Sequence, residues 1–308
     1  MPMKMPGTGG FGPQRVRHEP SLLRKSHYDA DSNPALDLME DRATPNEFMG
    51  ERDAAAAAGD LARVAELDQS QTGRMFAGLS RLEPYVRHEL VAGATLYRRA
   101  GGADQQRNLL VGFCGRKNRL GLAAPCILQN LDADEWDVIL LRDVRKSFYL
   151  KGVAGIGGDF AAVIAWLTDQ VRAARRTVTC GSGLGGLPAM WAAGALGADH
   201  AVSLAAVRPP QHLPPVPFNE AAVPQALYVY NAATASEVRF AHDMAKADGV
   251  VPFAAPGKHA MGFLNRIMEQ GQLKLFLEIA LRQPVDARTW QADLSRLVAS
   301  GPLASTKG

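Results

Sequence analysis

The stretch TVTCGSGLGGLPAM, residues 177–190, passes from β-forming residues through a tight cluster of glycines into an apolar segment of helical composition. A strand that feeds a helix through so short a turn is the basic unit of an α/β protein, in which parallel strands alternate with helices that cover the sheet. The same alternation extends on both sides. Short apolar runs open at Asn108 (NLLVGFC), Trp136 (WDVILLRD), Arg176 (RTVTC), His200 (HAVSLAA), Ala226 (ALYVYN) and Gly249 (GVVPFA), and each reads as a buried strand. Helical patterns fall between them at about 120–131, 158–174, 185–196, 237–247 and 260–282. The expectation is an α/β core over residues 101–285, with a mostly parallel sheet flanked by helices.

The flanks read differently. Residues 1–45 are rich in Pro, Gly and charge, follow neither the helical nor the strand period, and are expected to form a flexible N-terminal tail. Residues 46–100 form a helical extension, with Leu61, Val64 and Leu67 at helical spacing, followed by one or two edge strands from Tyr85 to Arg98. Residues 286–308 give a C-terminal helix and tail. The Pro-rich segment RPPQHLPPVPFNEAAVP, residues 208–224, leaves room for a short flap and for no lid domain.

Composition bounds the function. Of 308 residues, 47% are hydrophobic and 21% charged, enough to bury a sizeable core. The net charge of +3 comes from scattered Lys and Arg with no long run of like charge, which speaks against a nucleic-acid partner. Cys114, Cys126 and Cys180 are odd in number and lack CxxC or Cys/His ligand spacing, so neither a disulfide framework nor a metal site is expected. The opening MPMKMPGTGGFGPQ lacks the apolar core of a signal peptide, and no apolar stretch approaches the roughly 18 residues of a membrane span. A cytoplasmic protein without a cofactor is the expectation.

The glycine cluster can be set in two registers against the Gly-x-Ser-x-Gly turn on which serine hydrolases carry their nucleophile, where the residues two before and two after must be small. Centred on Ser182, the flanks are Cys180 and Leu184, and the leucine is sterically poor. Centred on position 183, the flanks are Gly181 and Gly185, followed by Gly186, and the spacing is met. In this second register the segment resembles the α/β-hydrolase family, with a glycine where the attacking serine stands. The cluster also matches part of a dinucleotide-binding loop, but no acidic residue ends a strand about 20 residues later, as that site requires.

The resemblance implies further positions. The oxyanion hole would be made by the backbone amides of Cys114, in VGFCG after the first core strand, and Leu184, after the nucleophile position. His259, in PGKHAMGFL, stands where the family places its catalytic base, and a surface or capping role is the plainer alternative. The acid is expected after ALYVYN, where NAATASEVRF offers only Glu237; Ser236 then reads as an N-cap, and Asp243 and Asp248 are alternatives. The stretches RKNRLGL and RDVRKSFYLKGVAGIGG bring Arg116, Asn118 and Tyr149, with Lys117, Arg119, Arg142, Arg145 and Lys146, toward the sheet edge where α/β folds hold ligands, suited to an anionic or sugar-like molecule or else simply solvated. These stretches also resemble hydrolase-like proteins associated with bacterial surface-polysaccharide synthesis.

Three functions are consistent with this pattern. The first is a degenerate hydrolase-like protein that binds an ester, acyl or sugar-like ligand or a partner without turnover. The second is an esterase or acyltransferase whose nucleophile has shifted to Ser182, with His259 as base. The third is an interaction protein that docks a partner or a second copy through its N-terminal extension.

Overall fold

The computed structural model describes residues 33–101, 106–213, 225–257, 260–282 and 286–300. An N-terminal arm of four helices, α1 (Pro34–Arg42), α2 (Pro45–Ala57), α3 (Leu61–Gln69) and α4 (Gln71–Phe76), precedes a hairpin of β1 (Tyr85–Val91) and β2 (Ala94–Arg99). The core follows as β3 (Asn108–Phe113), α5 (Ala124–Gln129), β4 (Trp136–Leu141), α6 (Phe160–Val171), β5 (Arg176–Ser182), α7 (Gly186–Leu196), β6 (His200–Leu204), β7 (Ala226–Asn231), α8 (Ala235–Met244) and β8 (Val250–Ala255). Helices α9 (Ala260–Glu269), α10 (Leu273–Leu281) and α11 (Ala287–Ala299) close the chain. The expected single helix over 260–282 is broken at Gly271, whose φ of +71° is left-handed and ends α9.

The eight strands form one sheet in the order β1-β2-β4-β3-β5-β6-β7-β8. β1 and β2 pair antiparallel, β2 joins β4 antiparallel, and β3 to β8 run parallel. Successive strand residues point to opposite faces. Leu110, Val138, Leu140, Val178, Leu227 and Val229 therefore enter one core with α5, α9, α10 and α11. Leu109, Val111, Ile139, Leu141 and Tyr228 enter the other, with α6, α7 and α8. Burial on both faces explains why these strands read as continuous apolar runs.

Part of the stretch expected as a tail over residues 1–45 is helical, because α1 occupies Pro34–Arg42, and residues 1–32 lie outside the described residues. Asn33 caps it, its Oδ1 accepting the amide of Ala35 at 2.9 Å, and Pro34 sits in the first turn, where its missing N–H costs nothing. The next helix opens on a reciprocal cap between Thr44 and Glu47. The arm is part of the fold. Phe48, Leu67 and Phe76 make a small core of their own, α1 and α2 pack on α5, and Gln71 reaches Asn265 of α9 at 2.8 Å. Among the described residues no helix is long and apolar enough to cross a membrane.

Candidate functional site

The site is built where β5 turns into α7. Gly183 begins a single tight turn, Gly183–Gly185, and adopts φ +52°. A methyl group on Gly183 would meet nothing within 4 Å, so the side-chain direction at this position opens onto free space. The flanks are the reverse. A methyl on Gly181 would collide with the Gly185 carbonyl, one on Gly185 with the Phe113 carbonyl, and one on Gly186 would lie 2.6 Å from the Ala206 side chain. These clashes are why positions 181, 185 and 186 must be small, whereas the side-chain direction at 183 is open.

Ser182 is elsewhere. It is the last residue of β5, 2% exposed, and its hydroxyl donates to the Arg119 carbonyl at 3.0 Å. Cys180 faces the α5/α10 core, and burial pushes its thiol up to about 12, far from a thiolate at neutral pH. Neither side chain occupies the open direction at Gly183.

Three loops at the carboxyl end of the sheet are locked around the elbow. After β3, Gly115 donates to the Arg119 carbonyl at 2.9 Å and accepts from Asn118 at 3.0 Å, a tight turn with Arg116 and Lys117 exposed at its tip. A methyl on Gly115 would lie 2.7 Å from the Ser182 carbonyl, so this turn lies directly on the elbow. After β4, the buried Asp143 carboxylate accepts the amides of Arg145, Ser147 and Tyr149 at 3.1, 2.6 and 2.9 Å. After β6, the Val207 amide donates to the Gly183 carbonyl at 3.4 Å.

All five non-glycine residues at positive φ among the described residues lie on these loops: Asn118, Lys146, Phe148, Tyr149 and Ala205. Such conformations are strained for residues with a Cβ, by about 1–2 kcal/mol each. Their concentration at one sheet edge marks that edge as the specialised one.

Several expected site residues take other roles. The Cys114 amide does not face the elbow as an oxyanion donor; it donates to the Leu141 carbonyl at 3.0 Å, continuing the ladder between β3 and β4. Burial raises its thiol to about 12. Tyr149 is not a ligand-facing residue: it is 0% exposed, with its hydroxyl between the carbonyls of Cys114 and Leu141 at 2.9 and 2.8 Å. Arg142, 2% exposed, donates to Thr95 Oγ1, the Asp41 carbonyl and the Tyr97 hydroxyl. Arg119 is enclosed by Asp37, Glu40 and Asp41 of α1 at 2.8, 2.7 and 2.6 Å.

On the other side of the elbow, Glu237 accepts the amide of Asn231 at 2.8 Å and so closes the turn from β7 into α8. The N-cap of α8 is Thr234, so Ser236 lies inside the helix. Asp243 pairs with Arg208 and Lys246, and Asp248 precedes β8, at the opposite end of the strands from the elbow. His259 lies outside the described residues. Asn231, which the sequence did not single out, is fully buried at the end of β7. Its Nδ2 donates to the Gly257 carbonyl at 3.0 Å and its Oδ1 accepts the Ala233 amide at 2.6 Å. A neutral amide thus ties the β7 and β8 loops together at the end of the strand that precedes the expected acid.

Leu184 and Asn118 are half-buried beside the elbow, Arg116 is exposed, and Asn118 Oδ1 accepts Lys146 Nζ at 2.9 Å. Burial holds the half-buried Lys146 ammonium below the usual lysine range, against the nearby Asp143 carboxylate. Among the described residues no cluster of three His, Cys, Asp or Glu side chains is arranged to hold a metal ion.

No protein-family model and no curated protein matches this chain. Solved structures do. FphF, a Staphylococcus aureus fluorophosphonate-binding serine hydrolase, is similar at TM-score 0.40 and 13% identity over 62% of this chain and 98% of its own. An esterase from the fungus Rhizomucor miehei is similar at TM-score 0.44 and 14% identity over 81% and 96%. A bacterial heroin esterase is similar at TM-score 0.44 and 13% identity over 80% and 97%. The assignment rests on this chain's own geometry: the strand order, the single antiparallel hairpin leading into six parallel strands, and the left-handed elbow after β5 are those of the α/β-hydrolase fold.

Proposed function

We propose that this α/β-hydrolase-fold protein has lost serine nucleophile chemistry and works by holding a small-molecule ligand in the cleft over its elbow. One observation carries the reading. Position 183 has the left-handed backbone, the closed flanks and the open side-chain direction of a nucleophile site, and it is glycine. Glycine has no atom with which to form a covalent intermediate. The alternative of a shifted Ser182 nucleophile meets a hydroxyl that is buried and donates to the Arg119 carbonyl. Docking through the N-terminal extension finds α1 to α4 already packed on the core.

A fluorophosphonate probe with peptide mapping tests this. The wild-type protein should remain unlabelled. Labelling at Ser182, lost in His259→Ala, would establish the shifted nucleophile instead. Labelling gained in Gly183→Ser would indicate that a base still serves the cleft.

A further inference from the structure

A helix leaves its final carbonyls without donors from its own backbone, and α10 ends in this state at the amino edge of the sheet. Its Glu278 carbonyl takes the amide of Arg282 at 3.1 Å, and each of the next three carbonyls takes a side chain from a different element. Trp290 Nε1 of α11 donates to the Ile279 carbonyl at 2.9 Å, His200 Nε2 of β6 meets the Ala280 carbonyl at 3.0 Å, and Arg176 of β5 donates to the Leu281 carbonyl. The Trp290 and His200 rings also meet edge to face, with centroids 5.3 Å apart. His200 therefore sits at a joint between the sheet, α10 and α11, and of the three donors it is the one whose charge changes in mild acid.

The partner fixes the tautomer. A carbonyl only accepts, so Nε2 carries the hydrogen and Nδ1 a lone pair. His200 is 0% exposed, and among the described residues its Nδ1 has no partner. A proton taken up there would create an N–H with nothing to receive it, out of reach of water. Two charged groups act on the ring: Arg176 of β5 disfavours a second cation, and Asp199, immediately before β6, favours one, although its carboxylate already accepts the Thr177 amide at 2.9 Å. On α10 and α11, Lys274, Glu278 and Arg288 are exposed, and Arg282 and Arg296 pair with Asp293. Burial outweighs these charges and lowers the imidazole to about 4.

The joint is otherwise lightly held. Helix α11 buries three side chains, Trp290, Leu294 and Leu297. A wholly apolar cavity lies between Val202 of β6 and Leu273, Phe276, Leu277 and Ala280 of α10, so the packing of α10 on the sheet forfeits part of its dispersion contacts there.

We propose that His200 is an acid-sensitive latch: when it takes up a proton, the last turn of α10 and the whole of α11 come away from the sheet while the parallel strands stay folded. An open form binds the proton as an ordinary histidine does, near pH 6.5, whereas the closed form resists it down to about 4. Opening is therefore favoured as the pH falls through this interval and is insensitive to pH above it. The latch lies at the opposite end of the strands from the elbow and does not depend on what the cleft holds.

The test is backbone hydrogen exchange on the full-length chain at pH 7 and pH 5, each corrected for the intrinsic exchange rate. Peptides from the end of α10 and from α11 should lose protection roughly ten- to thirty-fold at the lower pH, while those from β3, β5 and α7 keep theirs. In His200→Gln the amide can still donate to the Ala280 carbonyl but cannot titrate, so the acid effect should vanish; His242→Gln, on the exposed side of α8, should behave as wild type. If His200→Gln fails to fold, the imidazole nitrogen resonances of the wild type serve instead, and should show a neutral Nε2–H ring at pH 7 that takes up its proton only as the α11 amides lose protection. Equal protection at both pH values, a loss spread evenly over the sheet, the same loss in His200→Gln, or a charged His200 at pH 7 would each overturn the proposal.

Discussion

Arg116 and Arg119 stand three residues apart on the loop after β3, and the molecule treats them in opposite ways. Arg119 faces three carboxylates of α1 and, through its backbone carbonyl, anchors the end of β5. Arg116 projects from the same turn with no acidic partner among the described residues. Frame and cleft are therefore separated within a single loop, and what separates them is the supply of partners rather than residue type. Where the arm provides carboxylates and carbonyls, cations are structural; where it does not, they remain available.

The most severe way to break this contrast is to remove the arm. A chain starting at Glu83 would leave Arg119 and Arg142 without their partners from residues 37–41 and strip the cover from α5. Breaking the Arg119 site on one side costs about 3–5 kcal/mol, losing the Arg142 bond to the Asp41 carbonyl adds about 1–3 kcal/mol, and together with the uncovered α5 these approach the whole stability of a typical domain. The truncated chain should show no cooperative thermal transition by circular dichroism. A cooperative melt would mean that the arm is an accessory.

Two glycines two positions apart sharpen the elbow half of the contrast. Gly185→Ala forces a methyl into the Phe113 carbonyl and should cost about 3 kcal/mol or more by denaturant titration. Gly183→Ala meets no atom within 4 Å and should cost about 1–2 kcal/mol, the strain of a left-handed residue alone. Equal losses would remove the argument that position 183 is the open one.

At the opposite end of the sheet, His200 is a buried group without a full set of partners. Its Nε2 meets the Ala280 carbonyl at 3.0 Å, its Nδ1 has no partner, and burial lowers its pKa to about 4. The unfolded chain, with an ordinary histidine near 6.5, binds the proton more readily, so stability is lost as the pH falls from about 6.5 toward 4. Between pH 7 and 5 the loss from this residue should be about 2 kcal/mol, and His200→Gln should flatten that part of the profile measured by urea unfolding. The smallest effect belongs to Tyr149→Phe, which removes the hydroxyl from between the Leu141 and Cys114 carbonyls and should cost about 0.5–1 kcal/mol by urea unfolding. A loss as large as that of Gly185→Ala would mean that the hydroxyl holds these loops by more than its hydrogen bond.

The core was legible because each parallel strand is an apolar run bounded by polar or glycine residues, and the elbow because its packing demands glycine at fixed spacing. Helix α1 was missed despite Asn33-Pro34 and the Leu36/Met39 spacing, since the surrounding composition outweighed a local cap signal. The roles of Tyr149, Arg142 and Arg119 were not legible. Nothing in RDVRKSFY distinguishes a buried arginine from a solvated one, because the decision lies in backbone carbonyls and acids about 50 to 100 residues away in the chain. Lys146 was grouped with its neighbours for the same reason; its left-handed backbone has no signature in a lysine codon.

The outer strand β1 bears on how copies of this protein meet. Its free edge carries Arg87, His88 and Glu89 in an exposed run, Arg87 is drawn to Glu47 of α2, and the register with β2 slips between Glu89 and Val91. Charge, a bulge and a neighbouring helix together make this rim a poor template for a further strand, so in a crowded solution the sheet is guarded against lengthening by its neighbours at the β1 edge.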